Sequence, residues 1–277
     1  MATTQYNAAG FERVQVGRSS GGLPYYGGLT GGSASGYGLT RLYAANAADA
    51  TMPEPTTVPI EGDDGIDAQF QFDVTELETF QLTFGRQDYA VLNDVQGTSN
   101  IDLQSTYSMA LRNPKGRDFT DMFVLLSRRA QKRNGTTGGG YEHVLIPLAT
   151  LTYTGSTMGT QGAGYYNYSV TANYVDRTFY GTKLGSDASE VGGKDNGSSF
   201  EFVTDYPVSI DVWEEDGSAT DFTPTQTIRT SGTVLAWSWD KTATAASTKS
   251  VSVSSGDITF TAGTDGDLIV AIYEVAS

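Results

Sequence analysis

Apolar and polar residues alternate with a period of two through much of this chain, as they do in strands that bury one face and wet the other. The pattern is sharpest in YYNYSVTANY, where Tyr166, Tyr168, Val170, Ala172 and Tyr174 fall on one face and predict a strand. It recurs over 60–84, IEGDDGIDAQFQFDVTELETFQLTF. There Phe70, Phe72 and Val74 share a face, and Phe80, Leu82 and Phe84 do so again after the charged step Glu76-Leu77-Glu78. The two runs are expected as a strand pair, entered through a turn at Asp63-Asp64-Gly65. Gln71, Asp73, Thr75, Gln81 and Thr83 lie opposite the apolar face.

The remaining elements follow from the same periods and from turn residues. Residues 17–38, rich in Gly and Ser with scattered Tyr, form an arm within 1–40. That arm is either a disordered terminal segment or one that orders against a neighbouring subunit through Leu23, Tyr25, Tyr26, Leu29 and Tyr37. RLYAANAADA at 41–50 has the composition of a short helix, and the prolines of 52–59 would stop it and enforce an extended path. A strand is expected around Thr106–Leu111. DFTDMFVLLSRRAQKR, 118–133, has helical spacing at Phe119, Met122, Phe123 and Leu126, but FVLL also suits a buried strand. The expectation is a short helix over 118–123 running into a strand through Gln131. NGTTGGG at 134–140 marks a loop, and YEHVLIPLATLTYTG the returning strand of a wide hairpin.

A polar stretch over 186–199 reads as a linker or long loop separating a β-domain at 41–185 from an acidic β-region at 200–277. Strands are expected there near 200–204, 207–213, 226–229, 233–239, 250–254, 257–261 and 267–275. This region is either a small immunoglobulin-like sandwich or the completion of the main sheet by GDLIVAIYEV. The fold class is all-β: a sandwich or barrel with one short helix.

Composition narrows the chemistry. With 33 Gly, 16 Tyr, 12 Phe and 38% hydrophobic residues in 277, the chain has material for a packed core built from short strands and turns. It has no Cys, so disulfides, thiolate metal sites and cysteine nucleophiles are excluded. The amino-terminal residues lack the pattern of a secretory signal, and no apolar run reaches the length of a membrane span, so a cytoplasmic origin without membrane association is expected. The net charge is −15, with 17 acidic and 13 basic residues up to 185 but 15 acidic and 4 basic after it. Such a carboxyl-terminal surface repels phosphate rather than gripping it.

The candidate sites are few. His143, the single histidine, sits inside a predicted strand and reads as a satisfied core residue, which leaves no Ser-His-Asp triad or His-based zinc site. A facing pair of carboxylates is a geometry the sequence leaves open. Asp63, Asp64 and Asp67, the run Glu214–Gly217, and Asp265 and Asp267 could wrap calcium, although plain β-turns account for them and none matches an EF-hand loop. Neither GYG at 36–38 nor GTQGAG at 159–164 continues as a phosphate-binding loop. Arg128, Arg129, Lys132 and Arg133 concentrate four cations in six residues, either a solvated strand end or a patch for docking carboxylates of a neighbouring subunit. Trp213, Trp237 and Trp239 could stack on sugars or pack a core. No residue set points to a catalytic centre or a cofactor.

An I-x-G-D-D turn leading into a Phe-rich strand pair, after a Gly-rich arm and before the basic segment LLSRRAQ, resembles the major tail tube protein of long-tailed, siphovirus-like bacteriophages over roughly residues 40–185. The resemblance implies a β-sandwich whose copies, typically six, close inner sheets into a ring. Rings stack by heterologous contacts into a tube in the virion tail, meeting other tail proteins, and DNA passes through without specific binding. It implies a polar lumen lining, for which Gln71, Asp73, Thr75, Gln81 and Thr83 are the candidates. Inter-subunit docking would fall to Tyr25, Tyr26, Tyr37, Arg128, Arg129, Lys132 and Arg133. The alternative from another class is a virion decoration or fibre-type module that binds carbohydrate or a receptor.

Overall fold

The computed structural model describes residues 6–20, 22–24, 37–38, 40–42, 45–51, 56–62, 65–72, 77–85, 91, 95, 101–103, 107–109, 120–132, 140–158, 164–173, 175–176, 196–218, 221–239, 246–261 and 264–276. The described elements are all strands. In chain order they are β1 (Tyr6–Ser20), β2 (Leu23–Pro24), β3 (Tyr37–Gly38), β4 (Thr40–Leu42), β5 (Ala45–Thr51), β6 (Thr56–Gly62), β7 (Gly65–Phe72), β8 (Thr79–Phe84), β9 (Ile101–Leu103), β10 (Tyr107–Met109), β11 (Asp121–Lys132) and β12 (Tyr141–Met158). The order continues with β13 (Gly164–Ala172), β14 (Val175–Asp176), β15 (Asn196–Gly197), β16 (Phe200–Thr204), β17 (Val208–Glu214), β18 (Asp221–Phe222), β19 (Val234–Trp239), β20 (Ala246–Lys249), β21 (Val251–Ser254), β22 (Asp257–Phe260) and β23 (Leu268–Glu274). Every pairing is antiparallel, and the all-β class holds.

The main sheet runs β2-β1-β11-β12-β13-β8-β5, with β4 beside β1 and β16 beside β12. Only residues 43–44 join β4, on one flank, to β5, on the other, and β1 touches β5. The sheet therefore curls until its flanks meet. Its concave side holds one apolar cluster drawn from all the long strands: Val14, Val16, Phe80, Leu82, Phe84, Met122, Val124, Leu126, Val144, Ile146, Leu151, Tyr168 and Val170 among others. The expected facing of Phe80, Leu82 and Phe84, and of Tyr168, Val170 and Ala172, is observed. A bulge after Tyr153 bends β12 at Gly155, whose φ of 136° is open to glycine and strained for other residues.

A second sheet, β20-β19-β23-β17-β3, covers the convex side of β11 and β12. Phe123, Leu125 and Leu145 form one cluster with Val208, Ile210 and Val212 of β17 and Leu268, Val270 and Ile272 of β23. Gln15 bridges the two sheets. Its buried amide donates to the Val208 carbonyl at 2.9 Å and accepts from Ser209 Oγ at 3.2 Å. The far face of the second sheet, with Trp213, Ile269, Ala271 and Tyr273, packs on Phe222, Ile258 and Phe260 of a small third sheet, β18-β22-β21. GDLIVAIYEV thus supplies the centre of the second sheet, and among the described strands after 199 it is β16 that joins the main sheet.

Several expectations are corrected. No helix covers 121–123: β11 begins at Asp121 and every residue from Met122 to Ser127 is buried. Sandwiched between two cores, β11 is apolar on both faces, and a run buried on both sides has no period of two to separate it from a helix. The Ala-rich segment at 41–50 is strand in β4 and β5 rather than helix, because pairing with β1 and β8 outweighs helix propensity. The two Phe-rich runs do not pair with each other. β7 pairs with β6 in a separate hairpin, whereas β8 lies between β13 and β5. Near 226–229 there is a single bridge, Ile228 to Val275, in place of a strand.

Gly140 marks the closest approach of the chain ahead of β12 to β16, since a Cβ there would lie 2.5 Å from the Thr204 carbonyl oxygen. Neither backbone can yield without opening the β12–β16 ladder. Gly140→Ala is therefore expected to cost about 1–3 kcal/mol, as overpacking does. Urea unfolding of the variant would read the loss directly, and an unchanged midpoint would contradict this contact.

Candidate functional site

The convex side of the main sheet is not all covered by the second sheet. Because strand residues alternate, burial of Leu151, Val170 and Phe80 on the concave side sends their neighbours the other way. The register then assembles rows across four strands. One row runs Thr150, Thr171, Thr79 and Thr51; the next runs Thr152, Ser169, Gln81 and Asp49; a third pairs Asn167 with Thr83 and Ala47. Three side-chain hydrogen bonds tie members of this face across strands. Gln81 Nε2 donates to Ser169 Oγ at 3.0 Å, Thr83 Oγ1 to Asn167 Oδ1 at 3.1 Å, and Asn173 Nδ2 to Thr150 Oγ1 at 2.9 Å. These rows contain no Lys or Arg, and one acid, Asp49. Hydroxyls and amides that satisfy one another offer few free donors to a passing phosphate.

Of the predicted lining residues, the structure places Gln81 and Thr83 in this face. It puts Gln71 in the separate β6–β7 hairpin, where its side chain lies outside the described residues, as do Asp73 and Thr75 altogether. Asn167, Ser169, Thr171, Thr150 and Thr152 were not among the candidates. The signal for three of them was present, since the alternation that buries Tyr168, Val170 and Ala172 fixes the facing of the residues between.

The basic cluster divides. Arg128 is committed within the chain: its Nε donates to Glu142 Oε2 at 2.6 Å, and this hydrogen bond raises its pKa above the ordinary guanidinium value. Arg129 is exposed, donating from Nη2 to the Tyr141 hydroxyl at 3.2 Å with its guanidinium carbon 5.7 Å from the ring centre. Lys132 ends β11 opposite Tyr6, its side chain outside the described residues, and Arg133, Tyr25 and Tyr26 lie outside them altogether. Tyr37 belongs to β3, which adds an edge strand to β17 of the same chain through the Tyr37–Val212 pair.

Of the calcium candidates, Asp63 and Asp64 lie outside the described residues, and Asp67 lies in β7 with its side chain outside them. Asp265 and Asp267 sit in a turn tied to the Glu214–Gly217 turn: Glu215 N–H donates to the Asp267 carbonyl and Gly266 N–H to that of Glu215, both at 2.8 Å. Among the described residues no group of three or more His, Cys, Asp or Glu is placed to hold a metal ion. Trp213 is buried against Phe222, ring centres 5.5 Å apart, so it has no face left for a sugar. The side chains of Trp237 and Trp239, on β19, lie outside the described residues.

His143 is fully buried, with Nδ1 2.8 Å from Ser127 Oγ and Nε2 2.8 Å from Thr204 Oγ1. Burial first, and then the Arg13 charge, lower its pKa to about 3. It is neutral and saturated at physiological pH. Among the described residues no carboxylate hydrogen-bonds to the ring, so the Ser127–His143 contact lacks the third member that orients a catalytic base.

No protein-family model, curated protein or solved structure matches this chain.

Proposed function

We propose that the chain is a structural virion protein that assembles into stacked rings, typically of six copies, forming the tail tube through which phage DNA passes. The observation that carries this reading is the face of β12, β13, β8 and β5, a polar, cross-bonded array without a cation. A conduit needs such a surface, because each phosphate contact by Lys or Arg adds salt-dependent affinity and so drag. The covered side of the same sheet would then face outward, keeping the acidic second and third sheets away from the channel. The sequence resemblance to tail tube proteins points the same way. Other tail proteins are the expected partners at the tube ends.

Negative-stain electron microscopy of the concentrated chain, with mass measurement in parallel, tests the reading. Rings or tubes with a central hole are expected, and a monomer at every concentration would overturn it. A second expected result concerns the lining. Tubes of a Gln81→Lys, Thr83→Lys variant should retain DNA at ~50 mM salt and release it by ~200 mM, where wild-type tubes retain none at either. Equal behaviour of the two would remove β8 from the channel wall.

A further inference from the structure

His143 sits in the seam between β12 and β16, paired with Phe202. Its ring lies between Tyr141 and Phe202, 6.3 and 4.8 Å away between centres and nearly parallel to both. The hydrogen bonds around it define one protonation state. Thr204 has a single hydroxyl proton, and it goes to the Tyr206 carbonyl at 2.5 Å. Imidazole Nε2 must therefore carry the ring proton and donate to Thr204, which leaves Nδ1 bare to accept from Ser127. A second ring proton would have to enter at Nδ1, turning the Ser127 hydroxyl away from the bond it donates there, in a buried site already facing the Arg13 charge from β1.

Little else could rescue the charged ring. Glu142 lies on the other face of β12 and is engaged by Arg128 from β11; Glu201 projects to solvent from that same other face of β16. Arg129 from β11 is exposed and turned to the Tyr141 hydroxyl, so Arg13 is the charge that acts on the ring. The start of β16 is held separately, by Ser199 Oγ donating to Glu78 Oε2 at 2.6 Å.

We propose that His143 makes the β12–β16 seam an acid-labile joint: β16 stays zipped to β12 while the imidazole is neutral, and mild acid opens the seam ahead of the rest of the fold. This joint does not depend on the tube reading. It has a structural consequence, because β16 leads directly into β17 and so ties the second sheet to the first.

The sign follows from linkage. The folded pKa of His143 lies below its ordinary 6.5, so the neutral ring's contribution is complete above that value and is lost as pH falls toward about 3. If opening exposes the ring to water, each pH unit below 6.5 makes opening ~10-fold easier. Glu78 acts in the opposite sense. Burial raises its pKa, so acid favours the closed seam at that contact, and Glu78→Gln removes this opposing effect.

Hydrogen exchange between pH 7 and 4.5, corrected for intrinsic rates, tests the joint. Protection over 200–204 should fall ~10-fold per pH unit relative to 164–172 in Glu78→Gln, less steeply in the wild type where Glu78 opposes it, and show no such fall in His143→Gln. A parallel fall in both segments, or the same slope without the histidine, would overturn the proposal. Should the variant not fold, the wild type suffices, because the chain has one histidine and its imidazole resonance needs no assignment. A resonance that stays neutral while the seam is closed supports the joint, and one that titrates near 6.5 in the closed state sinks it.

Discussion

Phe123→Ala is expected to destabilise the fold by about 3–5 kcal/mol, the range for truncating a fully buried aromatic residue. Phe123 is 0% exposed on the convex face of β11, in the cluster that joins the two large sheets. The cavity left behind has little means of closing. Met122 and Val124, on either side in sequence, are locked into the other core, so β11 cannot shift toward β17 without vacating its place beside β1 and β12. Urea unfolding followed by far-ultraviolet circular dichroism would measure the loss. A change below about 1 kcal/mol, within what a tolerated hydrophobic swap costs, would mean that the sheets do not pack through this residue.

Asp211→Ala should cost a similar amount, about 3–5 kcal/mol, for a different reason. Asp211 is fully buried on the face of β17 toward the third sheet, where it accepts from Thr225 N–H, from Thr225 Oγ1 at 2.7 Å and from the Tyr273 hydroxyl at 2.8 Å. The Tyr273 oxygen in turn accepts from Gln226 N–H at 3.1 Å. Removing the carboxylate strands three donors and frees the 223–227 segment that leads out of β18. Burial pushes the Asp211 pKa up despite these bonds, so the site is held by its partners and not by solvent. Tyr273→Phe removes one bond of the three and should cost less than half as much. Equal losses in the two variants would mean the network does not act through the carboxylate.

The legible and illegible parts of this chain divide along burial. β13 and β8 bury one face and wet the other, so their period of two, and the facing of Gln81 and Thr83, could be read directly. β11, β17 and β23 are buried on both sides, and their apolar runs carry no face information. That is why the sequence predicts a helix at 118–123, and why it leaves the layering of 200–277 between two alternatives. Pairing was harder still: the two Phe-rich runs adjoin in sequence, yet β8 finds its partners in β13 and β5, and alternation cannot say which strand lies beside which. The candidate lining was half legible for this reason. Its β8 members followed from local pattern, whereas Thr150 and Thr152 joined them only through a register set by tertiary pairing. Asp211 left no trace in the sequence, since the two acids within VSIDVWE, Asp211 and Glu214, are not told apart there: one is buried and the other exposed.

The position of β1 has a consequence for how the chain reaches this state. Its partner β11 runs from Asp121 to Lys132, with Tyr6 opposite Lys132, and Tyr37 of β3 waits for Val212. At ~5–20 residues per second, synthesis of that intervening stretch occupies on the order of 10 s, during which Val14 and Val16 have no apolar cover from β11. Loops this long must close before their contacts repay the lost entropy, which places the protein among slow, high-contact-order folders. Chaperone dependence of soluble yield is the practical corollary, and expression at reduced temperature should favour recovery of the folded chain.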